Sequence, residues 1–378
     1  MPKKIKLIVK KTLFKMTGVV ELKTNLNKKG SVLLSYMTSP FLTDSYDLTK
    51  THTNYWECHE IARLFLEKGY DVDVINWNNF SFKPKKRYNI IVDIHKNIER
   101  LAPLLGDNCK KIFHITGAHW LYMNNAEYQR LNNLKERRKI VLYPRRNVIP
   151  SLNIENCDYA TFLGNKFTAD TYLYSGKKLI NIPISTTITI DFPQKNFEEC
   201  KKNFVWFGGS GLIHKGLDLA LEAFKDMPDL NLYVCGPINK EPDFEKAFYN
   251  ELYKTKNIKT IGWAEYGGDK FLEITKKCAF LIYPSCSEGG GGSVIAAMHA
   301  GLIPIISYES SVDVYDFGVL LNKSDKKCIK EAARIFSQKN TKEIELMSKK
   351  SWEHARKNFT RNEFSKKFTN FLDNFIIT

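Results

Sequence analysis

Val205–Phe224 reads VWFGGSGLIHKGLDLALEAF, and Tyr283–Ser307 reads YPSCSEGGGGSVIAAMHAGLIPIIS. Each stretch opens on a short apolar run, breaks into glycines and resumes with helical spacing, which is the strand–loop–helix unit of a parallel α/β sheet. In the first, Gly208, Gly209 and Gly211 lead to a helix expected from about Lys215–Gly216. Glycines let backbone amides approach an anion, a helix N-terminus adds partial positive charge, and Lys215 can close on a phosphate as a point charge. Such a site suits a diphosphate. The stretch is not the dinucleotide fingerprint, whose last glycine position holds His214, and it is not a Walker loop. A tight turn without a ligand is the competing reading. In the second stretch the run Gly289, Gly290, Gly291, Gly292 has no evident packing use, and Ser293 is placed as N-cap of the helix behind it. Amides of Gly289 to Ser293 would hold a phosphate while Glu288 faces a ligand hydroxyl, with Ser287 beside them in the donor site; a flexible surface turn is the alternative.

Outward from these loops the alternation continues. After a leader of residues 1–30, strands are expected at Ser31–Met37, Asp71–Trp77, Asn89–Ile94, Lys110–Thr116 and Tyr159–Leu163. Helices are expected near Asn54–Lys68, Ile98–Leu105, Asn125–Arg138 and Lys166–Tyr174. The extended, proline-containing Ile180–Lys195 reads as the interdomain linker. A second series follows, with strands at Phe204–Phe207, Leu232–Cys235, Ile258–Gly262, Ala279–Tyr283 and Ile303–Ser307, and helices at Leu217–Phe224, Phe244–Tyr253, Lys270–Lys277 and Val294–His299. The fold class is therefore α/β, with two Rossmann-like doubly wound parallel-sheet domains, residues 31–185 and 186–358, facing a cleft. Ligands in such sheets sit at the carboxyl ends of the strands. Thr360 and Glu363 form a capping box ahead of Phe364, Phe368, Phe371, Leu372 and Phe375, which predicts a helix in 359–378 with one buried face.

A chain of 378 residues exceeds what one core usually organises, consistent with two domains. The net charge of +16 sits at the ends, with nine lysines against Glu21 in residues 1–30 and fourteen Lys/Arg against seven acids in residues 323–378. The near-neutral middle has no zinc finger or RNA-binding motif, which argues against a nucleic-acid partner. The eight cysteines are dispersed, without a C-x-x-C pair or zinc-type Cys/His spacing, and read as reduced thiols of a cytoplasmic protein. In the leader, Ile5, Ile8, Val9, Leu13 and Met16 fall on one helical side, opposite Lys3, Lys4, Lys6, Lys10, Lys11 and Lys15. This is the pattern of a basic helix on an anionic membrane surface through residues 2–18, peripheral on the inner face of the membrane. A solvated leader or an ordinary packed helix is the alternative. Neither a signal-peptide apolar run nor a transmembrane run of about 18 residues is present.

The two quoted loops resemble the C-terminal domain of the large retaining glycosyltransferase family of GT-B fold, glycosyl transferases group 1 or family 4, which includes bacterial mannosyl- and glucosyltransferases. Residues 203–321 carry most of the likeness. GGSGLIHKGLDLALEAF is similar to that family's segment with a Lys-Gly pair, and SEGGGGSVIAAMHAG to its E-G-x-G-x-x-x-x-E-A-M-x-x-G segment. The N-terminal half resembles it more loosely, through YNIIVDIHKN and KKIFHITGAHW. The resemblance implies a nucleotide-diphosphate sugar as co-substrate, no other cofactor, no essential metal, and transfer with retention to a glycan or lipid-linked acceptor in polysaccharide or glycolipid synthesis. It also implies a C-terminal helix that packs back on the N-lobe. Lys215 and Glu288 carry over as the central site residues.

Two positions depart from the pattern. Ser210 stands where the family has an arginine five residues before its lysine, and Ala296 stands where it has a second glutamate that usually holds the nucleotide ribose. The family's sugar-pocket histidine maps to His119 or His114, with His119 preferred because it follows Gly117 at the strand's carboxyl end. His52 and Asn54 open a helix toward the cleft and are read as phosphate or acceptor contacts, or as a plain N-cap. Arg137, Arg138, Arg145 and Arg146 flank the acceptor side, to meet an anionic acceptor or to remain solvated. Asp71-Val72-Asp73, the one D-x-D string, reads as strand-face polarity and not as a metal site. Two other readings stay open, a nucleotide-sugar 2-epimerase of the same fold and a non-catalytic sugar-binding protein.

Deleting residues 2–18 is expected to weaken binding to anionic vesicles, and raised salt to have the same effect on the full chain. Co-sedimentation that does not change on deletion contradicts the anchor.

Overall fold

The computed structural model describes residues 12, 14–42 and 53–377. The expected anchor pattern of residues 2–18 lies largely outside the described residues, as does His52. Runs such as Val32-Leu33-Leu34 and Ile90-Ile91-Val92, apolar on both faces, demand strands covered on both sides, and all six residues are buried. They belong to a 7-stranded sheet built from β1 (Val20–Leu22), β2 (Gly30–Tyr36), β3 (Tyr70–Asn76), β4 (Ile90–Asp93), β5 (Lys110–Ile115), β6 (Tyr159–Phe162) and β7 (Leu179–Asn181). Its order is β1-β3-β2-β4-β5-β6-β7, parallel throughout except where β1 meets β3.

The second lobe holds β8 (Asn203–Phe207), β9 (Asn231–Cys235), β10 (Ile258–Gly262), β11 (Phe280–Tyr283), β12 (Ile303–Ser307) and β13 (Val319–Leu321). These form an all-parallel sheet in the order β10-β9-β8-β11-β12-β13. Numbered within the lobe this is 3-2-1-4-5-6, the doubly wound order whose reversal point, here between β8 and β11, opens a crevice at the strands' carboxyl ends. The two Rossmann-like lobes expected from the alternation are present.

Several boundaries differ from expectation. Residues 1–30 are not all leader, because Val20–Leu22 pairs with β3 through Val20↔Val74 and Leu22↔Val72. Three residues are too few for periodicity to reveal, and the same holds for β7 and β13. The linker begins after Asn181, since Ile180 lies in β7 beside Thr161. Phe244–Tyr253 is two short helices, Pro242–Ala247 and Tyr249–Tyr253, parted at Phe248. Two helices that the motifs did not announce, Lys326–Ser337 and Thr341–Asn358, complete the second lobe. Asp71 and Asp73 are buried, Asp71 meeting Lys28 at 3.0 Å and Asp73 meeting Lys86 at 2.8 Å and the Tyr88 hydroxyl at 2.6 Å.

The chain then crosses back. Thr360 caps the Arg361–Phe371 helix by accepting from the Glu363 N–H at 3.2 Å, as the capping box predicts. Phe364 and Phe368, four apart and fully buried, lie edge-on to His114 of β5, and Phe364 also meets Trp56. Ser365 donates to Glu60 at 2.6 Å, and Lys110 reaches the Ile376 carbonyl at 2.6 Å. The last helix of the chain is thus part of the first lobe's wall. Phe364→Ala and Phe368→Ala are each expected to cost about 3–5 kcal/mol, seen as a lower urea midpoint. The half-buried Phe375 should cost less on the same change, and equal small losses at all three positions would mean that the crossover helix is not docked.

Candidate active site

The loop after β8, residues 208–216, and the loop after β11, residues 284–291, leave adjacent parallel strands at the strand-order reversal. Sheet topology alone therefore brings them together. Gly216 has φ +70°, and a Cβ there would lie 2.4 Å from the Pro284 carbonyl oxygen, so only glycine lets the two turns touch. The Cys286 N–H donates to the His214 carbonyl at 2.9 Å. Lys215 Nζ, 7% exposed as a residue, donates to Glu288 Oε1 at 2.6 Å and to the Tyr283 hydroxyl at 2.8 Å. The Tyr283 and Ser285 hydroxyls also donate to Glu288 Oε1, at 2.8 and 3.0 Å. Among the described residues no hydrogen bond reaches Glu288 Oε2. Burial works to raise the Glu288 carboxyl, but Lys215, then Arg146 and His214, hold it down to about 2. Burial in turn lowers the Lys215 ammonium, against the pull of Glu288.

Beside this pair lies a charge bridge that crosses between the lobes. His214 Nδ1 is 2.5 Å from Glu127 Oε2, and its Nε2 is 2.7 Å from the Ser287 carbonyl oxygen. With Glu127 ionised both partners are acceptors, so both ring nitrogens carry protons and the ring is an imidazolium. Burial works to lower the His214 pKa, yet contact with Cys286 and Glu127 raises it to about 9. Glu127, from the first lobe, shifts below the usual carboxylate range, with burial opposing and His214 favouring its charge. Its Oε1 accepts the backbone N–H groups of Arg145 at 2.8 Å and Arg146 at 3.4 Å. Glu127, His214 and Cys286 place ligand atoms within 4.8 Å of one another, and among the described residues they are the group able to hold a metal. Sequence spacing gave no sign of it, since three distant segments contribute. An imidazolium has no lone pair to offer, so a metal there requires His214 to surrender its Nδ1 proton.

The amides divide unevenly. Among the described residues no hydrogen bond is donated by the backbone N–H of Gly289, Gly290, Gly291, Gly292 or Ser293. In the first loop, by contrast, the Gly208 amide is committed to the Cys235 carbonyl at 3.1 Å and the Gly211 amide to Glu241 Oε1 at 2.6 Å. The expectation that these two amides serve a phosphate is corrected: a protein carboxylate already fills that turn. Gly209 remains uncommitted. The second loop also overturns the view that its glycines have no packing use. A Cβ on Gly289 would lie 2.1 Å from the Thr116 carbonyl oxygen of the first lobe, and one on Gly291 would lie 2.5 Å from the Ser310 carbonyl oxygen. The run is where the lobes approach backbone to backbone. The N-cap is Gly291, with φ +56°, and not Ser293, which lies inside the Gly292–His299 helix.

On the first lobe, a cavity of about 190 Å³ is bordered by His95, Thr116, Gly117, His119 and Arg146. His119 caps the Trp120–Arg138 helix, its Nδ1 accepting from the Leu121 N–H at 3.4 Å and its Nε2 lying 3.1 Å from the Tyr174 hydroxyl. His114 is fully buried under the crossover helix, 2.7 Å from Thr161 Oγ1, and burial pushes its pKa to about 4. It is a core residue, remote in character from a ligand contact. Asn54 lies in the first turn of the Thr53–Glu67 helix. The arginines read as acceptor-facing or solvated are mostly neither. Arg137 meets Asp218 at 2.7 Å and Glu222 at 2.8 Å, Arg138 meets Glu251 at 3.0 Å, and Arg145 meets Asp243 at 2.6 Å, all across the cleft. Arg130 donates to the Pro284 carbonyl at 2.9 Å. Sequence reasoning missed His95, whose buried Nδ1 has no partner among the described residues and whose ring packs on Trp77, although it lies within the quoted YNIIVDIHKN. It also missed Tyr283, Glu127 and His214, of which Tyr283 and His214 lay in the two quoted stretches.

Comparison with known proteins agrees with this geometry. Residues 189–315 match the model of the family described as Glycosyl transferases group 1. The chain is 30% identical over 183 residues to the uncharacterized glycosyltransferase MJ1178 of Methanocaldococcus jannaschii, a match that spans 46% of either chain. Thus it covers about half the length of that curated relative. Among solved structures, it is similar to Anabaena Alr3699/HepE in complex with UDP and glucose, with TM-score 0.57 and 10% identity over 91% of this chain and 99% of that one. It is likewise similar to sucrose-phosphate synthase of Thermosynechococcus elongatus, with TM-score 0.60 and 13% identity over 91% and 98% of the two chains. At such identities these structures speak for the fold alone. No helix among the described residues is long and apolar enough to cross a membrane.

The His214 bridge makes a pH prediction. Its folded pKa of about 9 lies above the ordinary 6.5, so its stabilisation is complete below about pH 6.5 and is lost as pH rises through about 9. The gap in thermal midpoint between wild type and His214→Gln is expected to shrink over that interval. A gap that does not vary with pH would show that the bridge is uncharged.

Proposed function

We propose that the chain, whose residues 189–315 match the glycosyl transferases group 1 model, is a GT-B glycosyltransferase of that family and moves a sugar from a nucleoside diphosphate to a glycan or lipid-linked acceptor. Retention at the anomeric carbon, independence of a metal, and work at the inner membrane surface in polysaccharide or glycolipid synthesis belong to the same proposal. The observation that carries it is the meeting of Lys215, Glu288 and five undonated amides at the reversal of strand order. Departure of a nucleoside diphosphate needs positive charge where negative charge grows, more than it needs an acid. Lys215 and the amides of Gly289–Ser293 are suited to supply it. Glu288, its Oε1 saturated by three donors, keeps Oε2 for a sugar hydroxyl. His119 borders the adjoining cavity and is assigned to the sugar pocket with His95. The Anabaena protein holds UDP and glucose, which makes UDP-sugars the first donors to try.

Ser210 and Ala296 support a second reading, a protein that binds donor without turning it over, because each removes a charged group from the donor lobe. Calorimetry and product release separate the two. Donor plus acceptor should release nucleoside diphosphate if the first reading holds, tight donor binding without release supports the second, and donor epimerised without acceptor points to a 2-epimerase. Lys215→Ala and Glu288→Ala are each expected to lower release by about 100-fold or more. Each also strands a buried partner charge, so Glu288→Gln, which preserves shape, is the variant that isolates chemistry from folding. Wild-type release by Glu288→Gln and Lys215→Ala would remove the assignment.

A further inference from the structure

We propose that Arg146, reaching over from the first lobe, takes the place of the arginine that Ser210 lacks and clamps the donor diphosphate across the cleft. The inference rests on the glycosyltransferase reading and adds a residue to its donor site. Ser210 is exposed on the loop after β8 and makes no hydrogen bond with the described residues. The next residue, Gly211, has φ +89°, and a Cβ there would lie 2.6 Å from Arg146 Cγ and 2.9 Å from Arg146 Cδ. The Arg146 stem therefore lies directly on the turn from which the missing side chain would have sprung.

Its head is free. Arg137, Arg138 and Arg145 all pair with carboxylates of the second lobe, whereas among the described residues the Arg146 side chain forms no ion pair or hydrogen bond. Its Nε is buried without a partner. A buried donor left unpaired costs stability, and at a cleft a ligand can complete it. The guanidinium borders the first-lobe cavity and is also close enough to Glu288 and Lys215 for its charge to act on both. It stands between the sugar side and the phosphate side. A planar, permanently charged fork suits two phosphoryl oxygens in a way that a second lysine would not.

The backbone under Arg146 is also fixed. Glu127 holds the Arg145 and Arg146 amides through Oε1 and His214 through Oε2, so the segment bearing the clamp is tied to the residue preceding Lys215.

The test is calorimetric binding of UDP, and of the diphosphate of whichever donor supports release, beside the matching nucleoside. Arg146→Ala is expected to weaken diphosphate binding about 10- to 100-fold while leaving nucleoside binding unchanged. Arg334→Ala, whose partner Asp229 lies in the same lobe away from the cleft, should change neither. Because the Arg146 head forms no hydrogen bond or ion pair among the described residues, its removal should lower the thermal midpoint less than Lys215→Ala, which breaks the pair with Glu288. The double variant Ser210→Arg with Arg146→Ala restores the charge at the family position and should recover much of the loss. Unchanged diphosphate affinity in Arg146→Ala, with affinity lost in Lys215→Ala, overturns the clamp and leaves the transferase reading intact. No binding of any nucleoside diphosphate by wild type overturns both. A loss shared equally by the nucleoside assigns Arg146 a structural role and likewise overturns the clamp.

Discussion

The buried imidazolium of His214, held between Glu127 and the Ser287 carbonyl, is the constraint on which the site depends. One ring fixes three things at once. Its own backbone positions Lys215, its Nε2 holds the residue before Glu288, and its Nδ1 holds the carboxylate that seats the Arg145–Arg146 backbone. A neutral histidine could satisfy only one of the two acceptors, and the other would be buried without a donor. The positive charge is therefore structural, and it adds to a field that already includes Lys215 and Arg146.

Around that bridge the lobes are held close by two different means. The arginines of the Trp120–Arg138 helix and the loop behind it reach carboxylates on the second lobe, and Gly289 meets Thr116 without a side chain between them. The Arg137 and Arg138 pairs, whose carboxylates are buried, contribute little net stability because desolvation offsets most of the attraction, and the exposed Arg145–Asp243 pair contributes little because water screens it. Their value is orientation: breaking one strands a charge, so the pairs penalise any other register between the lobes. The glycine contact works in the opposite sense, by removing the bulk that would hold the lobes apart.

What the sequence disclosed and what it hid follow from range. The strands and helices flanking Lys215 and Glu288 were legible because each loop is a local unit, an apolar run, glycines and a periodic helix within about two dozen residues. The crossover helix was legible for the same reason, through Thr360, Glu363 and the phenylalanines. Three-residue edge strands carry too few positions for a period to show. Glu127 was invisible because a lone glutamate on a polar helix looks solvated, and only the approach of the second lobe buries it. The four glycines misled in a different way. From the sequence, a glycine needed for a ligand and one needed for a neighbouring backbone are identical, and here Gly289 and Gly291 face other chain segments while their amides stay uncommitted.

Both departures from the family pattern act in one direction, because Ser210 and Ala296 each take a charged side chain from the second lobe. In a lobe that carries its own arginine and lysine, a diphosphate can be gripped before the cleft closes. In this chain Lys215 is already engaged by Glu288, and the unpaired cation above it belongs to the other lobe. The attraction available to a diphosphate is therefore greatest when the two lobes are together, with Arg146 resting on Gly211. Under the proposed clamp, donor binding and the joined arrangement of the lobes favour each other by the same free energy, because a ligand stabilises the arrangement to which it binds better. The interlobe ion pairs and the His214 bridge hold the two lobes in that arrangement.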